Sequence, residues 1–446
     1  MKKKIFSLIF TAVFLLACLV PAAGLILTGG AKAGANEILA PEPKLRGADG
    51  RLNGRFLAQL ADYVDDRFFL RQECVTAWAA LNAAVFRTSV TSDVVLGREG
   101  WLYFAPTLDD YTRADPMTGR ELWCAGRTLY LLQEHAISRG ARFLFTVAPN
   151  KNSLYPENMP AYDRRDAVSN AGALQAVLED MGVAYLDLFD VFRASDETLY
   201  FPTDSHWNGR GAALAADAIL GALGRESGYF FGGFLPGEHT GDLYEMLYPA
   251  GTKKDLDWIY APGYTFTANS ANPDSITLRT GCAAGEGTLL MYRDSFGRNL
   301  YPYLAESFEK AVFSRKNDYA PTELSPGDAM VVELVERNLR YLNVYAPTLP
   351  AAARDASLAD GAVGAGTVQL DISIDDNKNY VNFSGRFDGC LPDDDSPVYV
   401  MVGDALYEAI PQPSGFSLWL SGQDADGPVQ VIFTSEGNLV SLSGVR

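Results

Sequence analysis

The chain runs to 446 residues with a formal net charge of -18, and 12% of it is aromatic. That length exceeds one ordinary domain and can bury sizeable cores, while the aromatic content argues against disorder. The acidic balance argues against nucleic acid or an anionic lipid surface as a partner. It is compatible with secretion and a neutral glycan substrate.

Met1-Lys2-Lys3-Lys4 precedes an uncharged stretch from Ile5 to Leu27. Three lysines before about 23 mostly apolar residues fit a helix that spans a bilayer in positive-inside orientation. A cleaved signal has a shorter apolar region. Ala31-Lys32-Ala33 nevertheless offers a cleavage-like site, and Leu15-Leu16-Ala17-Cys18 is a loose lipobox whose apolar run continues past the cysteine. The favoured reading is an uncleaved anchor over residues 1–35, with everything else outside a bacterial membrane.

Residues 36–54 hold Pro, Gly and mixed charges and read as a linker, and 55–86 are helical by periodicity. Val94-Val95-Leu96 into Trp101-Leu102-Tyr103-Phe104 reads as a strand and Gly turn. Then come a helix over 127–139, an apolar strand Phe143 to Val147 ending at Pro149, a helix over 166–181 and a strand over 183–188. A helix from Asn208 onward follows a loop. After a loop-rich section, 230–287, strand Thr288 to Tyr292 leads to a helix over 299–308, then to strands 311–313 and 329–333. Apolar strands alternating with helices predict a parallel sheet covered on both faces, a three-layer α/β domain of flavodoxin-like type over 36–346. Asn150, Asp204 and Ser295 are expected at the carboxyl ends of its strands. Residues 347–366, rich in Ala, Pro and Gly, read as a linker. Short alternating strands with Asp-, Gly- and Pro-rich turns over 367–446 predict a small β-sandwich.

The chemistry concentrates in Thr203-Asp204-Ser205-His206-Trp207-Asn208-Gly209-Arg210-Gly211 and in Arg293-Asp294-Ser295-Phe296-Gly297. A carboxylate beside a neutral imidazole holds it in one tautomer, ready to take a proton from a hydroxyl nucleophile. Ser295, between an apolar strand and a helix, would project such a hydroxyl with helix amides behind it. The competing reading is that Asp204 or Ser205 merely caps the following helix. His135 and His239 lack comparable company. Asn150 and Lys151, at a strand end, are candidates to bind oxyanion or substrate, or else serve turn chemistry and solvation. Arg293 adjoins the serine, although strand alternation can point it away. Trp101, Tyr103 and Trp207 are candidates to stack on sugar rings, against the alternative that they are core. Cys74, Cys124, Cys282 and Cys390 are scattered; their even number permits disulfides without indicating a framework. With no HExxH and three dispersed histidines, neither a metal nor a cofactor is expected.

These motifs, with Gly97-Arg98-Glu99-Gly100-Trp101-Leu102-Tyr103, Pro149-Asn150-Lys151-Asn152-Ser153-Leu154-Tyr155-Pro156 and Val332-Glu333-Leu334-Val335-Glu336-Arg337, resemble the alginate O-acetyltransferase-like (DHHW) proteins of the SGNH/GDSL hydrolase superfamily. The likeness covers roughly residues 42–342. Ser205 departs from it, replacing the first histidine of the group's name. The resemblance implies Ser295, His206 and Asp204 as a catalytic triad, in an order permuted relative to ordinary SGNH esterases. It also implies an extracytoplasmic O-acetyltransferase acting on a polysaccharide, with a membrane-bound O-acyltransferase partner supplying acetyl groups. A carbohydrate acetyl-esterase and a catalytically silent envelope glycan-binding protein stay open as alternatives.

Overall fold

The structure is a computed structural model that describes residues 2–32, 38–47, 49–321, 324–375 and 379–445. The cleavage-like stretch ends, and the 36–54 linker begins, outside the described residues, as does the side chain of Cys18. The first helix, Lys2–Thr28, is long and apolar enough to cross a bilayer by length and composition. The helical run expected over 55–86 is two helices, Phe56–Arg67 and Arg71–Phe86. They break at Phe68–Leu70, where Phe68 is extended and Leu70 turns left-handed with φ 64.

The central sheet has seven strands in the order Tyr185–Leu186, Arg142–Ala148, Ala329–Val335, Thr288–Tyr292, Lys310–Ser314, Thr277–Gly281 and Thr267–Ala268. The first five are parallel; the sixth pairs antiparallel with the fifth and the seventh antiparallel with the sixth, so the sheet is mixed rather than purely parallel. Strand periodicity sorts its side chains into two cores. Leu289 and Met291 join Leu144, Val331 and the helices Gly209–Ala222 and Gly297–Ser307 on one face. Leu290 and Tyr292 join Phe143, Phe145 and Val332 on the other, under the helices Gly119–Ser138 and Asn170–Met181. This is the expected three-layer α/β class.

The section expected to be loop-rich, 230–287, is more regular than that. Phe234–His239 pairs antiparallel with Asp255–Tyr260, the helix Asp242–Leu247 lies between them, and the two edge strands of the main sheet follow. The strand expected over 183–188 is only Tyr185–Leu186, because the Asp187 carboxylate accepts from the Phe189 and Asp190 amides and starts a helix there.

The C-terminal region is one nine-stranded sheet that folds over a shared core including Val368, Phe383, Val400, Phe416 and Phe433. Its long strand, Val363–Asp375, serves both halves: residues 363–369 pair with Asn438–Val445, and 370–375 with Tyr380–Arg386. The stretch read as a bare linker carries ordered structure: Ala353–Arg354 pairs with Ala405–Glu408, and the long strand begins at Val363.

Candidate active site

Ser295 leaves the carboxyl end of Thr288–Tyr292 and precedes the helix Gly297–Ser307. The turn between them is tight. Asp294 holds it, one oxygen accepting from the Phe296 amide at 2.9 Å and the other from the Val335 amide at 2.6 Å. A Cβ at Gly297 would run into the Arg293 side chain, so glycine lets the helix start directly behind the serine. A helix N-terminus so placed favours developing negative charge beside Ser295.

Asp204 and His206 belong to no strand; they lie in a loop before the helix Gly209–Ala222. Asn208, not Asp204 or Ser205, caps that helix, accepting from the Arg210 and Gly211 amides at 3.1 and 3.0 Å. The loop brings His206 Nε2 to 2.9 Å from Ser295 Oγ, and Asp204 Oδ1 to 2.7 Å from His206 Nδ1. Three side chains thus stand in one hydrogen-bonded row across two distant segments. The His206 ring also packs against Phe296, with centroids 4.8 Å apart.

Asp204 is nearly buried and fully occupied. Oδ1 also accepts from the His206 amide at 2.9 Å, while Oδ2 accepts from the Asp242 amide at 3.0 Å and meets His239 Nε2 at 2.7 Å. Burial opposes its ionisation, but the His206 and His239 bonds outweigh that and hold its carboxyl well below the usual carboxylate range. Ser205, in place of a histidine, donates to Asp242 twice: its hydroxyl to Oδ2 at 2.6 Å and its backbone amide to Oδ1 at 2.8 Å. Burial, and then the charge of Asp204, push Asp242 up.

His239 is therefore not the isolated histidine of a Gly-rich loop that its sequence surroundings suggest. It ends a strand, stacks on Phe201 at 4.0 Å between centroids and shares the carboxylate of Asp204. His239, Asp242 and Asp255, whose Oδ2 accepts from the Thr203 amide and hydroxyl at 2.8 Å, are the site residues missed in sequence. The available signal was His239-x-x-Asp242 around Gly241, which repeats the pairing of imidazole and carboxylate.

The other candidates are supports. Lys151 is buried, and its Nζ donates to the carbonyls of Phe201, Pro202 and Asp204 at 3.1, 3.0 and 2.5 Å. Burial pushes its amine down to about 7 against the pull of Asp204, Asp242 and Asp255. With its protons committed to those carbonyls, it fastens the loop. Asn150 donates its amide hydrogen to Glu336 at 3.0 Å and its side chain to Asp110 at 3.2 Å. Burial pushes those two acids up to about 7 and about 6. Arg293 is buried beneath the serine turn, donating to the Asp294 and Pro273 carbonyls. Tyr103 and Trp207 are core, not sugar platforms: both are almost completely buried, with Tyr103 donating to the Tyr155 carbonyl and Trp207 stacked on Phe192. Cys74, Cys124, Cys282 and Cys390 are free thiols.

A groove of about 670 Å³ reaches Thr203, the residue before Asp204, and is bordered by Trp101, Tyr244, Tyr248, Arg98 and Lys253; Ser295, His206 and Asp204 do not line it.

Residues 94–258 match the family described as SGNH hydrolase-like domain, acetyltransferase AlgX. The chain is similar to the probable alginate O-acetylase AlgJ of Pseudomonas syringae pv. tomato, 25% identical over 241 residues that cover 53% of this chain and 58% of the relative. It is also similar to the probable alginate O-acetylase AlgJ of Pseudomonas aeruginosa, 28% identical over 181 residues that cover 40% and 44%. The chain spans about half the length of the curated relatives it matches. Among solved structures, Bacillus cereus PatB1 aligns at 16% identity and a TM-score of 0.43, over 56% of this chain and 98% of that one. The O-acetyltransferase domain of Pseudomonas putida AlgJ aligns at 17% and 0.38, over 55% and 92%. The motif resemblance to alginate O-acetyltransferase-like proteins is borne out. Asp204, His206 and His239 fall inside the matched family segment and Ser295 outside it.

Proposed function

We propose that this chain is an extracytoplasmic O-acetyltransferase that moves acetyl groups onto hydroxyls of a polysaccharide through an acyl-enzyme on Ser295. The observation that carries the reading is the row itself: Ser295 Oγ 2.9 Å from His206 Nε2, and His206 Nδ1 2.7 Å from Asp204. His206 accepts the Ser295 proton at Nε2 as Oγ bonds to the acetyl carbonyl carbon; the donor's ester C–O bond then breaks, and the leaving oxygen takes that proton. In the second half the acceptor hydroxyl gives its proton to Nε2 as its oxygen bonds to the acyl carbon; the Ser295 Oγ–acyl bond then breaks and Oγ takes that proton back. Asp204 keeps the Nδ1 proton in place and stabilises the imidazolium. The Ser295 amide, at the helix start, is the proposed oxyanion donor, a role worth roughly 10²–10³ in rate.

The acetyl donor is proposed to be a membrane-bound O-acyltransferase, and the groove beside Thr203 is proposed to receive the glycan, with the first helix keeping the site at the membrane. Incubating the full chain in detergent with an aryl acetate, and reading intact mass, tests the chemistry. Wild type gains one acetyl group on Ser295, and Ser295→Ala and His206→Ala do not. An adduct formed by Ser295→Ala at the wild-type rate removes Ser295 as nucleophile. Acetylated sugar appearing on addition of glycan distinguishes transfer from acetate release alone.

A further inference from the structure

Helix Arg71–Phe86 turns the wrong face outward. Its exposed positions Cys74, Ala77, Trp78, Leu81, Ala84 and Val85 recur at three- and four-residue spacing and form an apolar stripe, with the exposed Glu73 at its first turn. Trp78 is 58% exposed, Leu81 50% and Val85 61%. The opposite face is already used: Ala79 is buried, and Thr76 accepts from the Ala250 amide. The preceding helix also exposes Leu57, Leu60 and Val64, interspersed with the exposed Asp62 and Asp65.

We infer that this stripe lies on the surface of the bilayer and seats the catalytic domain there. The reading rests on the membrane anchor proposed above. The observation that selects lipid over another cover is where the first helix ends. The Ala31 amide donates to the Arg67 carbonyl at 3.0 Å, the Gln72 side chain to the Lys32 carbonyl at 2.9 Å, and the Phe69 amide to the Pro21 carbonyl at 3.3 Å. Pro21 lies two turns, about 10 Å, before the helix end at Thr28. The apolar turn Phe68-Phe69-Leu70 is thus held against the outer part of the spanning helix, at the depth of the interface, and the stripe of Arg71–Phe86 starts from that point. An apolar helix face carrying a Trp and fastened at this level gains by entering the boundary between headgroups and acyl chains. The attraction is apolar contact, so the acidic net charge does not oppose it at a neutral surface. Ala83 of the same helix and Arg87, which caps it, border the groove that reaches Thr203, which places the groove along the membrane.

The test uses the full chain in vesicles of neutral phosphatidylcholine. With Cys18, Cys74 and Cys390 replaced and the buried thiols left, Leu81→Cys carries an environment-sensitive fluorophore, and Glu226→Cys, also exposed, is the control. Both sites are exposed, so labelling leaves packing alone. Position 81 should emit at shorter wavelength, and lipids with a nitroxide near the headgroup should quench it several-fold more strongly than position 226. If the chain resists alkaline carbonate but position 81 is quenched no more than 226, the anchor stands and the docked stripe is wrong. If labels at position 81 quench one another and not the lipid, a second copy covers the stripe and the inference falls. If carbonate strips the chain from the vesicles, the anchor reading fails and takes this one with it.

Discussion

Asp204 receives four hydrogen bonds on two oxygens, and that saturation fixes the edge His206 presents to Ser295. Removing the charge of one donor should be felt at the serine. His239→Gln can still offer an N–H to Oδ2 but removes the charge and the titrating partner; it is expected to cost about 1 kcal/mol, roughly five-fold in rate. The same variant has a pH signature. Burial alone lowers the His239 pKa, but the bond and charge of Asp204, with Asp257 and Asp255 behind it, raise it above the ordinary imidazole value. A raised histidine stabilises the fold fully below its unfolded pKa of about 6.5, and that contribution is lost as pH rises through the folded value. Urea midpoints should therefore fall between neutral and mildly alkaline pH more steeply for wild type than for His239→Gln; equal slopes would separate His239 from the carboxylate. Lys151→Met strands three buried carbonyls and is expected to lower stability by about 3 kcal/mol, with activity falling further because the loop carries Asp204. Both roles were hard to read from sequence, since adjacency to a motif says nothing about side-chain direction. Trp207 follows His206 directly yet enters the core, and Lys151 looks like a strand-end cation yet turns inward.

At the scale of elements, what periodicity encodes was legible: the apolar strands 142–148, 288–292 and 329–335, the serine turn and the three-layer class all follow from it. Boundaries set by side-chain caps were misplaced. The helix expected from 127 starts at Gly119, because Thr118 and Glu121 form a reciprocal capping box, a spacing present in the sequence but outside the apolar run. The hairpin of Phe234–His239 and Asp255–Tyr260 was missed because Pro236 and Gly237 break its alternation and a helix interrupts it. Glycines mark where such elements touch. A Cβ on Gly241 would strike the Thr203 backbone, one residue from Asp204, whereas Gly221 near the end of its helix faces open space. Gly241→Ala should destabilise by about 2 kcal/mol and reduce acyl-enzyme formation, as neighbouring backbone has no room to yield. Gly221→Ala should be neutral or stabilise by up to about 1 kcal/mol. Urea melts of the pair read this directly, and equal penalties would mean the Gly241 contact is not what sets the loop.

At the scale of the whole molecule, the C-terminal sheet and the α/β domain are fastened along helix Gly119–Ser138. Arg120 donates to the carbonyls of Asp393, Asp394 and Ser396, and Glu408, almost wholly buried, binds Arg127 at 2.6 Å and Arg354 at 2.9 Å. Arg354 also meets Glu134 across the seam, and Ile410 enters the same core as Leu131 and Leu349. An exposed ion pair contributes little, but removing the shared carboxylate leaves two arginines facing each other in a half-buried seam. Glu408→Ala should therefore cost about 3 kcal/mol, against near-neutrality for Asp190→Ala, whose pair with Arg193 is exposed. The seam also changes what a truncation can show. A chain ending at Ala346 uncovers Leu131 and strands Arg120, so it should unfold at lower urea than the full chain. Among the described residues no hydrogen bond from 347–445 reaches Ser295, His206 or Asp204. Wherever the shortened chain is still folded, acylation from a small ester should match the full chain, and only turnover on polymer can fall. Loss of small-ester acylation by the folded, shortened chain would mean that the C-terminal sheet shapes the site across the seam.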